Sequence, residues 1–155
     1  MSLKPILLVS GEPYSIFYEI FFKIYRLKKV RNNKRPLILI TSKKLLIKQM
    51  KYFKYNYKIN LIDEQTINYQ KLNNKKINLI DVHFKFKKTI DRISHKSKFF
   101  ILNSFDTALR IIKNKKVTGM INGPISKKYF LNKRFLGITE FLAKKTNSIK
   151  KPVML

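Results

Sequence analysis

Two short stretches of the chain combine residue types that can do chemistry, and from one of them a phosphate-binding loop can be built. In the first, Asn122-Gly123-Pro124-Ile125-Ser126-Lys127, a glycine-proline corner follows an apolar run at residues 117–121 and leads to a serine and a lysine. Glycine and proline behind a strand shape a tight turn. Ser126 is placed to cap a following helix, whose free amides together with the Lys127 ammonium offer a seat for a phosphate. A plainer reading has the corner merely ending a strand and Lys127 as one surface lysine among many. In the second stretch, Gly137-Ile138-Thr139-Glu140, a hydroxyl and a carboxylate stand at the start of a short helical pattern. Thr139 reads as a helix cap, and Glu140 complements the positive end of the helix dipole. Near the amino terminus, Gly11-Glu12-Pro13 makes a third turn, with Glu12 either part of a polar site or an acid favouring a helix start.

These turns have to be held by regular elements, and the apolar spacing supplies them. Residues 4–10 read as a buried strand, and the turn after it feeds Ile16, Ile20, Phe21, Ile24 and Leu27, whose spacing fits one helical face. A second strand at 36–40 runs into Thr41 or Ser42 as a cap, then into a helix carrying Leu45, Leu46, Met50 and Phe53. Short strands are expected at 59–62 and 77–82 with a turn at Asn73-Asn74, a helix at 104–113, a strand at 117–121 and a short helix at 139–145. Strands alternating with helices predict a layered α/β domain with a largely parallel sheet flanked by helices, one domain over residues 1–155. In such a sheet ligands meet the loops at the carboxyl ends of strands, where the first and third turns lie.

The same residues carry a resemblance. Gly123-Pro124-Ile125-Ser126-Lys127, then Gly137-Ile138-Thr139-Glu140-Phe141-Leu142-Ala143, then Pro152-Val153-Met154-Leu155 are similar to the 4-hydroxythreonine-4-phosphate dehydrogenase family. In that family a T-G-P-I-x-K turn leads to G-H-T-E-F-L-A and a V-M-M-L strand. Gly11, Glu12, Pro13, Ile16 and Glu19 match its opening G-[DE]-P-A-G-I-G-P-E-[IL]. The resemblance implies NAD-dependent oxidation and decarboxylation of a phosphorylated hydroxy amino acid on the route to pyridoxal phosphate. It also implies a divalent metal held by three histidines beyond the part this chain matches. It makes Thr139 a substrate contact and Lys127 a weaker one, assigns no catalytic or metal residue here, and leaves NAD contacts unknown. The chain is then expected to be the amino-terminal half of a two-domain enzyme, inactive alone, completed by a separate carboxy-terminal half or within a homodimer. Two departures matter. Ile138 stands where the family has a histidine that contacts the substrate, and Ile cannot donate, accept or titrate. Tyr14, Ser15, Phe17 and Tyr18 replace small residues and a proline that let the backbone approach a ligand. Glu19 reads either as part of an old polar site or as a residue on a solvated helix face.

Composition bounds what else the chain can be. Its 155 residues and 45% hydrophobic content suffice for a core. The lack of cysteine excludes a disulfide framework and a thiolate metal site, and two histidines, His83 and His95, argue against a histidine-rich metal site. No apolar run is long enough to span a bilayer and no secretory signal opens the chain, so a cytoplasmic location is expected. The formal charge of +27, from 35 basic and 8 acidic residues, predicts nonspecific attraction to phosphate polymers. Lysines are spread along the whole chain, and Lys, Asn, Ile, Phe and Tyr, residues with A/T-rich codons, make up a little over half of it. Codon bias is therefore preferred to binding as the explanation of the charge. The best nucleic-acid candidate is Lys51-Tyr52-Phe53-Lys54-Tyr55-Asn56-Tyr57-Lys58, where rings could stack on bases. The alternative is a helix end whose rings cover the core. A basic RNA-binding protein and a non-catalytic remnant are the competing functions.

Overall fold

The computed structural model describes residues 3–114, 116–132 and 134–147. The apolar runs become β1 (Ile6–Val9), β2 (Leu37–Thr41), β3 (Ile59–Leu61), β4 (Ile77–Asp81) and β5 (Gly119–Asn122). All pair in parallel, in the order β3-β4-β2-β1-β5. The helices between them are α1 (Phe17–Tyr25), the single turn α2 (Lys28–Arg31), α3 (Lys43–Tyr52), α4 (Lys98–Lys113) and α5 (Ile138–Lys145). The expected α/β architecture is present, and none of these helices is long and apolar enough to cross a membrane. The predicted strand at residues 152–155 lies outside the described residues.

Leu7 and Val9 of β1 are fully buried, as are Ile38 and Ile40 of β2, and α4 packs on these two strands through Phe100, Ile101, Phe105 and Ala108. Near-continuous apolar strands are what a sheet covered by helices requires. Helix α4 starts six residues before the expected position 104, because Phe100 and Ile101 continue the same inward stripe by one more turn. Ser42 caps α3, its hydroxyl accepting from the Leu45 amide, as the sequence predicts. Asn74 does more than mark a turn. Its side chain is buried, accepts from Leu37 N, and donates to the carbonyls of Asn33 and Arg35, so it pins the entry to β2.

Helix α1 corrects the sequence reading of which face points inward. Of the expected stripe only Phe21 is buried; Ile16, Ile20, Ile24 and Leu27 are exposed, and Tyr18, Phe22 and Tyr25 are buried in their place. Both sets have helical spacing, and the aromatic set removes more apolar area from water. The Tyr18 hydroxyl finds the Thr41 hydroxyl beneath the sheet end, and burial pushes its pKa up to about 12. Rings of Phe53, Tyr55 and Tyr57 gather around Phe22 at 5.5–6.4 Å. Only Tyr52 of that aromatic run projects freely.

Candidate functional site

The chain leaves β1 toward β2 on one side and crosses from β4 to β5 on the other, so the sheet order reverses between β1 and β5. At such a switch point the two outgoing loops diverge and open a crevice for a ligand. Here those loops are Gly11-Glu12-Pro13 and Gly123-Pro124-Ile125-Ser126. They touch: the Glu12 amide donates to the Pro124 carbonyl at 2.9 Å, and the Gly123 amide donates to the Val9 carbonyl at 2.7 Å.

Both glycines are required by this contact. Gly11 has φ +71, and a Cβ there would lie 2.5 Å from the Pro124 carbonyl oxygen. A Cβ on Gly123 would lie 2.2 Å from the Ser10 carbonyl oxygen and 2.7 Å from the Phe17 ring. Phe17, one of the large residues that replace the family's small ones, thus fills the space directly over Gly123. Tyr14 packs edge-on against Phe84 and donates to the Lys88 carbonyl. The β1 loop is closed by side chains where the resemblance implies open backbone.

Glu12 is the polar centre of the crevice. It is buried; one carboxylate oxygen accepts from the Ser97 hydroxyl at 2.7 Å and the other from the Ser126 amide at 3.3 Å. It therefore ties the β1 loop, the turn before α4 and the β5 loop together, which favours the polar-site reading over the helix-dipole one. Burial raises its pKa above 4.5, opposed by the two hydrogen bonds. The ionised form is thus the costly one in the folded chain. Its contribution to stability is complete below about pH 4.5 and is lost as pH rises through the raised folded value. Glu12→Gln, which has the shape of the protonated acid, removes that dependence. Melting curves should show the variant gaining on the parent as pH is raised from about 4 to about 8. A constant difference across the range would sink this account.

No helix follows the glycine-proline corner, contrary to the expectation. Residues 127–130 form a turn in which Ser126 Oγ accepts from the Tyr129 amide at 3.1 Å, so Ser126 caps the turn as it would a helix. Its own amide is committed to Glu12, a carboxylate already standing where a phosphate was expected. Lys127 is exposed. Thr139, half-buried, is the second residue of α5 and does not cap it; that place belongs to Gly137, which has no capping side chain, so the first-turn amides lack a side-chain acceptor there. Glu140 stands in that first turn as expected. Phe141 packs on Phe130 at 5.1 Å and on Phe105 at 6.1 Å, which fastens α5 to the turn that Ser126 begins. Ser97 was invisible as a site residue, since an isolated serine in a polar stretch carries no signal of a partner 85 positions away.

Glu19 forms an exposed ion pair with Lys23 and takes no part in the site. His83 and His95 are both exposed, and His95 lies edge-on to the Tyr129 ring at 5.2 Å. Among the described residues no group of three or more His, Asp or Glu side chains could hold a metal ion. These residues do not fit the metal that the resemblance implies, and no chemical step is assigned through one here.

The fold and the crevice define an open, parallel α/β domain of the kind that binds small ligands at a switch point. The sequence profile of the family described as pyridoxal phosphate biosynthetic protein PdxA matches residues 32–155, and the chain belongs to that family. The opening motif at residues 11–20 precedes the matched span. Curated proteins yield no match. Solved structures similar to the chain include a 4-hydroxythreonine-4-phosphate dehydrogenase from Burkholderia phymatum, with TM-score 0.79 and 19% identity over 96% of this chain and 45% of that one. Another is the 4-hydroxythreonine-4-phosphate dehydrogenase from Klebsiella pneumoniae, with TM-score 0.77 and 18% identity over 93% and 45%. The chain spans a little under half the length of these relatives.

Proposed function

We propose that this chain is a single domain that supplies substrate-facing loops of a 4-hydroxythreonine-4-phosphate dehydrogenase. The observation that carries the reading is the junction of the Gly11-Glu12 and Gly123-Ser126 loops at the switch point, with the uncapped start of α5 fastened beside it. The first-turn amides of α5 and the Thr139 hydroxyl receive the substrate phosphate, and Lys127 adds a mobile positive charge. Ile138 leaves one substrate contact unmade. In this chemistry NAD would supply the hydride acceptor and a divalent metal would polarise the substrate oxygens, neither held by the residues described above. Residues for both come from a carboxy-terminal portion, on another polypeptide or in a continued chain, that completes the cleft. A cytoplasmic place fits action on a phosphorylated metabolite.

The alternative of an RNA-binding protein is supported by the charge alone. The commitment of Phe53, Tyr55 and Tyr57 to the Phe22 cluster favours the enzyme-family reading.

Titration of the isotopically labelled chain with 4-hydroxythreonine 4-phosphate tests the proposal. Amide shifts are expected at Gly123 and at residues 125–127 and 138–140, with affinity weakened about tenfold by Thr139→Ala, and no NADH formed by this chain alone. Shifts spread evenly over lysines, or NADH formation by the isolated chain, would overturn it.

A further inference from the structure

Ser97 carries one hydroxyl proton and has two acceptors within reach, Glu12 Oε2 at 2.7 Å and the Ser94 carbonyl at 2.9 Å. With Glu12 ionised, the hydroxyl turns to the carboxylate and leaves the Ser94 carbonyl only a longer contact, 3.3 Å from the Ser97 amide. With Glu12 neutral, Oε2 donates its own proton to Ser97 Oγ, the hydroxyl donates to Ser94, and Oε1 still accepts from the Ser126 amide. The neutral acid is thus the form that completes this buried junction, and burial acts in the same direction.

Two of the segments that Glu12 joins carry bases. The stretch entering α4 holds His95, Lys96 and Lys98, and the β5 loop holds Lys127 and Lys128; all but the half-buried Lys98 are exposed. These two segments meet at Tyr129, whose ring has His95 edge-on at 5.2 Å and the Lys128 ammonium at 5.3 Å. On the β1 side, the Tyr14 hydroxyl donates to the Lys88 carbonyl and feels the charge of Asp91, and the Tyr18 hydroxyl pairs with Thr41. An anion drawn to the bases around Tyr129 lies beside Glu12 and favours its uncharged form. The uncharged junction in turn places no negative charge against the anion. We infer that Glu12 is a proton-linked positioning residue: as the neutral acid it holds the three segments in the arrangement that accepts an anion, so that a phosphorylated ligand and the Glu12 proton bind cooperatively. Anion affinity is then greatest at low pH and falls as pH rises through the ionisation of Glu12. This inference rests on the reading that an anionic substrate meets these loops.

A pH titration of the full chain, labelled with carbon-13 at the glutamate carboxyls and followed by NMR, tests it; through-bond correlation assigns Glu12 without a variant. Inorganic sulfate is the probe, because its charge stays constant over the titration where that of phosphate does not. Glu12 should titrate above 4.5 in the free chain. Saturating sulfate, compared with chloride at the same ionic strength, should raise its midpoint by about half a unit, the equivalent of roughly threefold tighter sulfate binding to the neutral form. Sulfate affinity read at the Ser126 amide should match that of Glu12→Gln at low pH and fall about threefold below it once Glu12 is ionised. In His95→Gln the movement of the Glu12 midpoint should persist at saturating sulfate. A free-chain midpoint at or below 4.5, a midpoint that sulfate leaves in place, or an equal movement of Glu19 would overturn the inference. So would loss of the movement in His95→Gln, which assigns the coupling to the imidazole. The substrate reading fails separately: sulfate can move Glu12 while 4-hydroxythreonine 4-phosphate leaves Thr139 unshifted, and the reverse result sinks only the coupling.

Discussion

Gly123→Ala should destabilise the chain by about 3 kcal/mol or leave it unfolded, because overpacking against backbone cannot be relieved by a change of rotamer. The added methyl meets the Ser10 carbonyl oxygen at 2.2 Å and the Phe17 ring at 2.7 Å, so β1 and β5 must separate at the point where the Val9 carbonyl binds the Gly123 amide. The consequence reaches the site directly, since the same movement draws Pro124 away from the Glu12 amide and Ser126 away from its carboxylate. Gly119→Ala is the matched control. It lies four residues earlier, where β5 begins, and an added Cβ has nothing within 4 Å. That variant should stay within about 0.5 kcal/mol of the parent, as open surface changes do. Urea unfolding of the two variants side by side decides the matter; equal midpoints would mean that the loops are not locked together.

Phe22→Ala should cost roughly 4 kcal/mol, the range for deleting a fully buried phenyl ring. Phe22 has no exposed surface and stands among Phe53, Tyr55 and Tyr57, and removing it leaves three rings without their common partner. Against a net stability of about 5–15 kcal/mol for a domain, this is a large share. Tyr52→Ala should shift stability by less than about 0.5 kcal/mol, since that ring is 61% exposed. Two further variants separate two meanings of one aromatic segment. If the run from Tyr52 to Tyr57 were a base-stacking platform, its rings would be free of the core and Tyr55→Ala and Tyr57→Ala would be tolerated.

Much of the fold was legible because burial along a strand or helix is a local property. Apolar runs bounded by Gly, Pro and Asn located all five strands to within two residues at most ends, and Ser42 announced α3 by side-chain chemistry that acts over three residues. The site was legible as residue types. The glycines stand behind β1 and behind β5 as their spacing suggested, Ser126 caps a turn in place of a helix, and Thr139 lies within the first turn of α5. What failed was each step needing to know what lies opposite. Helix α1 has two stripes of helical period, one mainly aliphatic and one aromatic, with Phe21 alone common to the expected and the buried set. Ser126 was read as starting a helix, yet its amide faces a buried carboxylate and the chain turns instead.

By itself the sequence determined the alternation of strands and helices, the parallel α/β class and the glycine turns behind β1 and β5, all of which follow from periodicity and turn chemistry within a few residues. The tertiary structure alone decided that β1 and β5 are neighbours, that Ser97 and Ser126 converge on Glu12, and that aromatic rings rather than isoleucines fill the space beneath α1. The reason is physical. Close packing compares the area and shape of surfaces brought together from distant positions, and a pattern repeating every 3.6 residues states that a face is apolar without stating which apolar face its partner will accept.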